Sequence, residues 1–171
     1  MSDDARAWRF LAGYPDTLLS RVRTLVRDGQ LGPYLQQRYP HRHDIQTDKA
    51  LYRYINDLRQ AHMRNAPTVD KVLYDSKLDV VKHALGLHTA ISRPHGGRLQ
   101  ARKEIRIAAL FRDTAPEFLH MIVVHELAHL REMEHNKAFY QLCEHMLPGY
   151  AQLEFDLRLY LTWRQLEGST A

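Results

Sequence analysis

His125-Glu126-Leu127-Ala128-His129 spells HExxH, and His135 follows six positions after His129. On a helix, side chains four apart stand one above the other with Cβ atoms about 5–6 Å apart. Two imidazoles so placed reach one metal ion at about 2.0–2.1 Å; a third leaves a tetrahedral site with one position open to water. Glu126, one position on from His125, points away from direct ligation and within reach of that water. The chemistry this predicts is metal-assisted hydrolysis. One zinc per chain, held by His125, His129 and His135, lowers the pKa of its water toward about 7. Glu126 takes the proton as general base and returns it to the leaving group. A random chain of this composition carries HExxH plus a histidine at a prescribed later spacing in about 0.2% of cases. The competing account, hydrogen-bonded core histidines around a buried glutamate, desolvates three polar groups for no return.

The rest of the composition agrees. The chain has 171 residues, 11 histidines and a single cysteine. One cysteine makes neither an internal disulfide nor a thiolate zinc ribbon, so a transition metal falls to imidazole. With 44% hydrophobic and 26% charged residues the chain reads as an ordinary globular protein rather than a disordered one. Its length suggests one domain over residues 1–171, with a helical amino-terminal part over 1–66 and a hydrolase core over 67–165. The acidic start, Met1-Ser2-Asp3-Asp4-Ala5-Arg6, leads into no apolar stretch, and the Met121–Val124 run is far too short to span a bilayer. The expectation is a soluble cytoplasmic protein with no membrane partner.

The net charge of +4 is unevenly spread. Arg93, Arg98, Arg102, Lys103, Arg106 and Arg112 are opposed within their own stretch only by Glu104. Such a concentration is either a solvated basic face or a surface for anions, whether phosphate groups or nucleic acid.

Helical periodicity dominates the elements that must position these groups. Leu18, Val22, Leu25 and Val26 share a face after Pro15-Asp16, and Gly29 closes that segment. Gly32-Pro33 marks a break, and Pro40-His41-Arg42-His43 a loop whose histidines could take up metal adventitiously. Leu51, Tyr54, Ile55 and Leu58 give a second helix ended by Pro67. Leu78, Val81 and Leu85 suggest a third, with a strand as the alternative. His88–Arg93 and Gln100–Ala108 read as extended segments around a turn at His95-Gly96-Gly97. Thr114-Ala115-Pro116-Glu117 then reads as a capping box opening a helix that is apolar on nearly all sides and therefore buried, with HExxH in its middle. In the metzincin spacing a glycine three residues after the second histidine turns the chain toward the third; here Glu132 stands at that position. A break at His135-Asn136, with Asn136 capping a Lys137–Met146 helix, is predicted instead. A last helix runs over Tyr150–Trp163. Cys143 reads as a small core residue, Tyr140 and Tyr150 as packing, and His83, His95, His120 and His145 as surface or hydrogen-bonding groups. The class is α+β, mostly helical, with a small sheet before the HExxH helix.

The run His125-Glu126-Leu127-Ala128-His129-Leu130, followed by Glu134-His135-Asn136-Lys137-Ala138-Phe139-Tyr140 and a proline-containing turn, resembles the YgjP-like family of zincin-fold metallohydrolases. The likeness extends upstream through Gly86-Leu87-His88-Thr89-Ala90 and Ile105–Phe111, and covers roughly residues 65–165. It implies a zincin-like, metallopeptidase-like domain and, for this branch, nucleoside triphosphate hydrolysis as a UTP pyrophosphatase. In zincins a hairpin just before the zinc helix borders the cleft, which makes His88, Arg93 and Arg98 the candidate substrate-binding residues for an anionic substrate such as a nucleotide. Two rival functions remain open. A zinc metallopeptidase acting on a peptide, including one that works near nucleic acid, explains the motif and could bind its substrate by strand addition. A nucleic-acid-binding module with a structural zinc explains the charge, but has no use for Glu126 beside an open coordination position.

Overall fold

A computed structural model describes residues 2–79 and 103–170. The chain divides into two compact units, one made of Met1–His41 with Ala151–Ala171 and the other of Arg42–Tyr150.

The first unit is helical. It contains α1 (Asp3–Trp8), α2 (Asp16–Arg27), α3 (Leu31–Arg38) and, from its second residue on, α7 (Tyr150–Thr170). Val22, Leu25 and Val26 pack as their spacing predicts around a core of Leu11, Leu31, Leu35 and Leu159, with Leu19 in the place expected of Leu18. Gly29 takes a φ of +67°, the left-handed conformation that ends α2. Gly32-Pro33 differs from expectation: both residues lie in the first turn of α3 rather than between elements. A proline there costs no intrahelical hydrogen bond. Gly32 is required by packing, since a Cβ at this position would stand 2.9 Å from the Trp163 indole nitrogen.

The second unit holds the HExxH segment. Its elements are α4 (Asp48–His62), β1 (Lys71–Asp75), β2 (Glu104–Ala108), α5 (Pro116–Ala128) and α6 (Lys137–Met146). Thr47 caps α4 by accepting from the Ala50 N–H at 3.0 Å. Leu51 and Ile55 are fully buried, and α4 packs on β1. β1 and β2 pair in parallel, Lys71 opposite Glu104 through Asp75 opposite Ala108. Ile105 and Ile107 face the core while Glu104 and Arg106 face water, the alternation expected of that strand. Its described partner, Lys71–Asp75, gives little sequence signal: five residues with charged ends, in which only Val72 and Tyr74 are buried. Leu78 and Asp79 are not helical, and the remainder of the helix expected over 78–85 lies outside the described residues, as do His88–Arg93 and the His95-Gly96-Gly97 turn.

α5 is the central element. Nine of its residues from Phe118 to Ala128 are buried, which accounts for its lack of a polar face. Its start corrects the capping-box expectation. Ala115 is the N-cap and gives no side-chain cap, while the Thr114 hydroxyl donates to the Phe111 carbonyl at 3.1 Å. Pro116 at the first helical position supplies the start signal. Among the described residues no helix is long and apolar enough to cross a membrane.

Candidate metal centre

HExxH occupies the end of α5, not its middle. The helix stops at Ala128, and His129 is its C-cap, with φ −65° and ψ −12°. His125 and His129 are therefore one turn apart at a terminus, where the chain is free to change direction. It does so at once. The N–H groups of Leu130, Arg131 and Glu132 donate to the carbonyls of Leu127, Ala128 and Ala128 at 3.0, 3.1 and 2.9 Å. A tight turn thus performs the role that the metzincin spacing gives to glycine. His135 follows, and Asn136 Oδ1 accepts from the Phe139 N–H at 2.9 Å, capping α6 as predicted.

These elements bring three ring nitrogens together. His125 Nε2 lies 3.2 Å from His129 Nε2 and 3.1 Å from His135 Nε2, and the last two are 3.0 Å apart. Three ligands on a tetrahedral ion at 2.0–2.1 Å would be separated by about 3.3 Å, so the spacing fits one metal ion with little adjustment. The tautomers fit as well. His129 Nδ1 lies 2.9 Å from the Glu132 carbonyl, which can only accept, so the neutral ring carries its proton on Nδ1 and turns the Nε2 lone pair inward. Burial pushes the His129 pKa down, toward the neutral form a metal requires. Lone pairs facing one another at 3 Å repel unless a cation or a shared proton stands among them; the donor set is that of a metal site.

Behind the rings stands Phe139, fully buried on α6, with its centroid 4.9, 4.5 and 4.9 Å from those of His125, His129 and His135. The sequence identifies Phe139 as core but not as the common backing of all three imidazoles. Tyr150 is a stronger departure. Rather than only packing, its hydroxyl lies 2.6 Å from His125 Nδ1, and both residues are completely buried. Nothing in the spacing of residue 150 announces this contact. Tyr140 is partly exposed, its ring 6.4 Å from that of His135.

Glu126 is partly shielded from solvent, and burial pushes its carboxyl up to about 8. A cation on the adjacent histidines opposes that shift.

His88, Arg93 and Arg98 lie outside the described residues. Two arginines of the described part of the basic stretch are engaged within the chain. Arg106 contacts Asp75 at 2.9 Å and Glu104 at 3.5 Å. Arg112 covers the Tyr74 ring at 4.7 Å and donates to the Gln46 carbonyl at 3.1 Å. His43 is structural rather than an adventitious ligand, since Nε2 meets the Phe111 carbonyl at 2.6 Å and Nδ1 accepts from the Ile45 N–H at 3.0 Å. His120 was expected at the surface or hydrogen-bonded; its Nε2 is buried and has no hydrogen-bond partner among the described residues. Cys143 is buried on α6, as expected.

Comparison with known proteins agrees with this geometry. A curated protein of Escherichia coli (strain K12) named UTP pyrophosphatase is 61% identical over 153 residues, which is 90% of this chain and 92% of that protein. No solved structure matches. The family description "YgjP-like, metallopeptidase domain" matches residues 24–160, a span that takes in the whole of the histidine cluster together with Tyr150. The chain belongs to the YgjP-like metallopeptidase-domain family.

Proposed function

We propose that this protein is a zinc-dependent cytoplasmic hydrolase that cleaves UTP with release of pyrophosphate. The observation that carries the hydrolase reading is the convergence of three Nε2 atoms at 3.0–3.2 Å beside Glu126. The substrate is supported by the 61% identical relative named UTP pyrophosphatase. His125, His129 and His135 would hold the ion, and it would supply Lewis-acid polarisation of a phosphoryl oxygen and of the attacking water.

The chain's own groups do the rest. Glu126 accepts a proton from the water as its oxygen bonds to the α-phosphorus. When the bond between the α-phosphorus and the bridging oxygen breaks, Glu126 delivers that proton to the departing pyrophosphate. A cation on the three histidines would oppose the burial that raises the Glu126 carboxyl and favour the ionised form that accepts the proton. Phe139 keeps the three rings dry on their inner side. We assign Arg93, Arg98 and His88 to binding the triphosphate, because a hairpin just before the zinc helix borders the cleft in zincins. The only cysteine is buried, which suits a reducing compartment.

The test is pyrophosphate release from UTP, run beside casein cleavage, with Glu126→Gln as control. We expect zinc at about one per chain in both proteins and a kcat on UTP lowered roughly 10²–10⁴-fold in the variant. UTP turnover that survives Glu126→Gln would remove the activity from this site. Casein cleavage lost in the variant, with UTP untouched by either protein, would make the enzyme a peptidase.

A further inference from the structure

His125 and His129 are oriented by different kinds of group. His129 meets a main-chain carbonyl, which any sequence would provide at that turn. His125 meets a side chain, the phenol of Tyr150 at 2.6 Å, in a place where neither residue touches solvent. The Tyr150 ring also lies nearly parallel to the imidazole, 22° between planes and 6.4 Å between centroids. Tyr150 opens α7, directly after Gly149, whose φ of +86° turns the chain out of the Leu147-Pro148-Gly149 segment. The Gly149 N–H is held by Glu144 at 3.0 Å. The phenol is therefore set by backbone geometry on one side and by α6 on the other.

We propose that Tyr150 is a positioning residue for the metal: its hydroxyl oxygen accepts the Nδ1 proton of His125. The ring is then locked with an unprotonated Nε2 facing His129 and His135. The inference rests on the metal reading of the three histidines and extends it to a residue that touches neither metal nor substrate. Its physical content is a choice of tautomer. A neutral imidazole must carry its proton on one nitrogen, and a ligand bound through Nε2 must carry it on Nδ1. In a dry site that N–H needs an acceptor, and groups in this position commonly change metal affinity 10–100-fold.

The consequence differs between the metal-free and metal-loaded protein. Without metal and without the phenol, the proton can move to Nε2 and be shared with the neighbouring nitrogens at 3.1 and 3.2 Å. With metal bound that escape is closed, and the Nδ1–H stays buried beside a phenyl ring. Tyr150→Phe should therefore weaken zinc binding about 10–100-fold, measured by competition with a chromogenic chelator. The melting temperature of the metal-free protein should stay close to that of the wild type. A merely structural Tyr150 gives the reverse pattern, lowered metal-free stability with unaltered affinity of the folded protein, and that result overturns the proposal. His125→Ala in the same titration separates the two readings. If it too leaves zinc affinity unchanged, the metal site itself is wrong and the proposal falls with it. If His125→Ala abolishes binding while Tyr150→Phe does not weaken it, only the role of Tyr150 is wrong. Should Tyr150→Phe not fold, the zinc-loaded wild type decides by ¹⁵N NMR. A protonated Nδ1 with a slowly exchanging proton on His125 is the expected result; a protonated Nε2 refutes the assignment.

Discussion

In the unit formed by Met1–His41 and Ala151–Ala171, the Asp156 carboxylate has no solvent exposure and is surrounded by donors. The Tyr39 hydroxyl donates to it, Gln152 Nε2 donates at 3.1 Å and the Arg38 guanidinium lies at 3.6 Å. Burial and the neighbouring carboxylate push the Tyr39 pKa up, which keeps its proton in place for that bond. In the unit Arg42–Tyr150, the histidine cluster turns three acceptors toward one another. The first joins distant parts of the chain and the second falls within eleven residues, and both are at least partly buried. The first is complete without a ligand, because an anion is enclosed by matching donors. The second becomes complete only when a cation enters. What separates a structural polar cluster from a binding site is the sign and direction of the groups that converge, not burial or residue type.

Substituting one member of each cluster separates the two most directly. His135→Ala should take zinc from about one per chain to near none by elemental analysis and lower UTP hydrolysis on the order of a thousandfold, while leaving the metal-free fold intact. Asp156→Ala should do the opposite. Tyr39, Gln152 and Arg38 lose their common acceptor, for a cost of about 2–3 kcal/mol in urea unfolding, moderated by the half-exposed Arg38. Zinc content and kcat of the folded protein should not change. If Asp156→Ala depletes zinc as strongly as His135→Ala, the two clusters are not independent and the distinction fails.

The site was far more legible in the sequence than the elements around it. HExxH with His135 singles out the three histidines that converge, because metal geometry imposes residue types at set spacings, and Asn136 declares its cap through a local contact. Pro116 likewise announces the start of α5. By contrast, β1 gave no signal, since a five-residue strand is stabilised by pairing with Glu104–Ala108, some thirty residues away, and not by its own pattern. The packing of α7 with the amino-terminal helices and the reach of Tyr150 to His125 are long-range outcomes of the same kind. The charge pattern shows only Glu104 opposing Arg106 and Arg112, whereas Asp75 meets Arg106 in space and Arg112 covers the Tyr74 ring, contacts that no local pattern carries.

Asn136 offers a finer test, because it links a purely local feature to the cluster. Its side chain caps α6 immediately after His135. Asn136→Ala should cost about 1 kcal/mol of stability and loosen the position of His135, weakening zinc binding several-fold without abolishing it. Urea unfolding and chelator competition measure the two effects. A loss of stability with unchanged zinc affinity would mean that the turn from Leu130 to Glu132 alone places His135. Asn136→Asp, which keeps a capping oxygen, should restore most of the stability.

The smallest effect comes from His120, a third case, whose ring nitrogen is unsatisfied and meets no converging ligands among the described residues. It lies on α5 five residues before His125, with Tyr54 edge-on at 6.4 Å and His62, also from α4, nearby. Burial, with a smaller contribution from His62, pushes its pKa below 6.5. A histidine depressed in this way contributes stability that is fully present above pH 6.5 and lost as pH falls through the folded-state value. His120→Phe keeps the edge-on ring contact and removes the titration. The variant should therefore lose less stability than the wild type between pH 7.5 and pH 5, by less than about 1 kcal/mol. At pH 7.5 it should be no less stable, since the orphaned Nε2 is gone. Parallel acid slopes for the two proteins would show that His120 has a partner in the folded state. A buried histidine with an open nitrogen would then no longer be an example of a polar group that is unsatisfied and yet not a site.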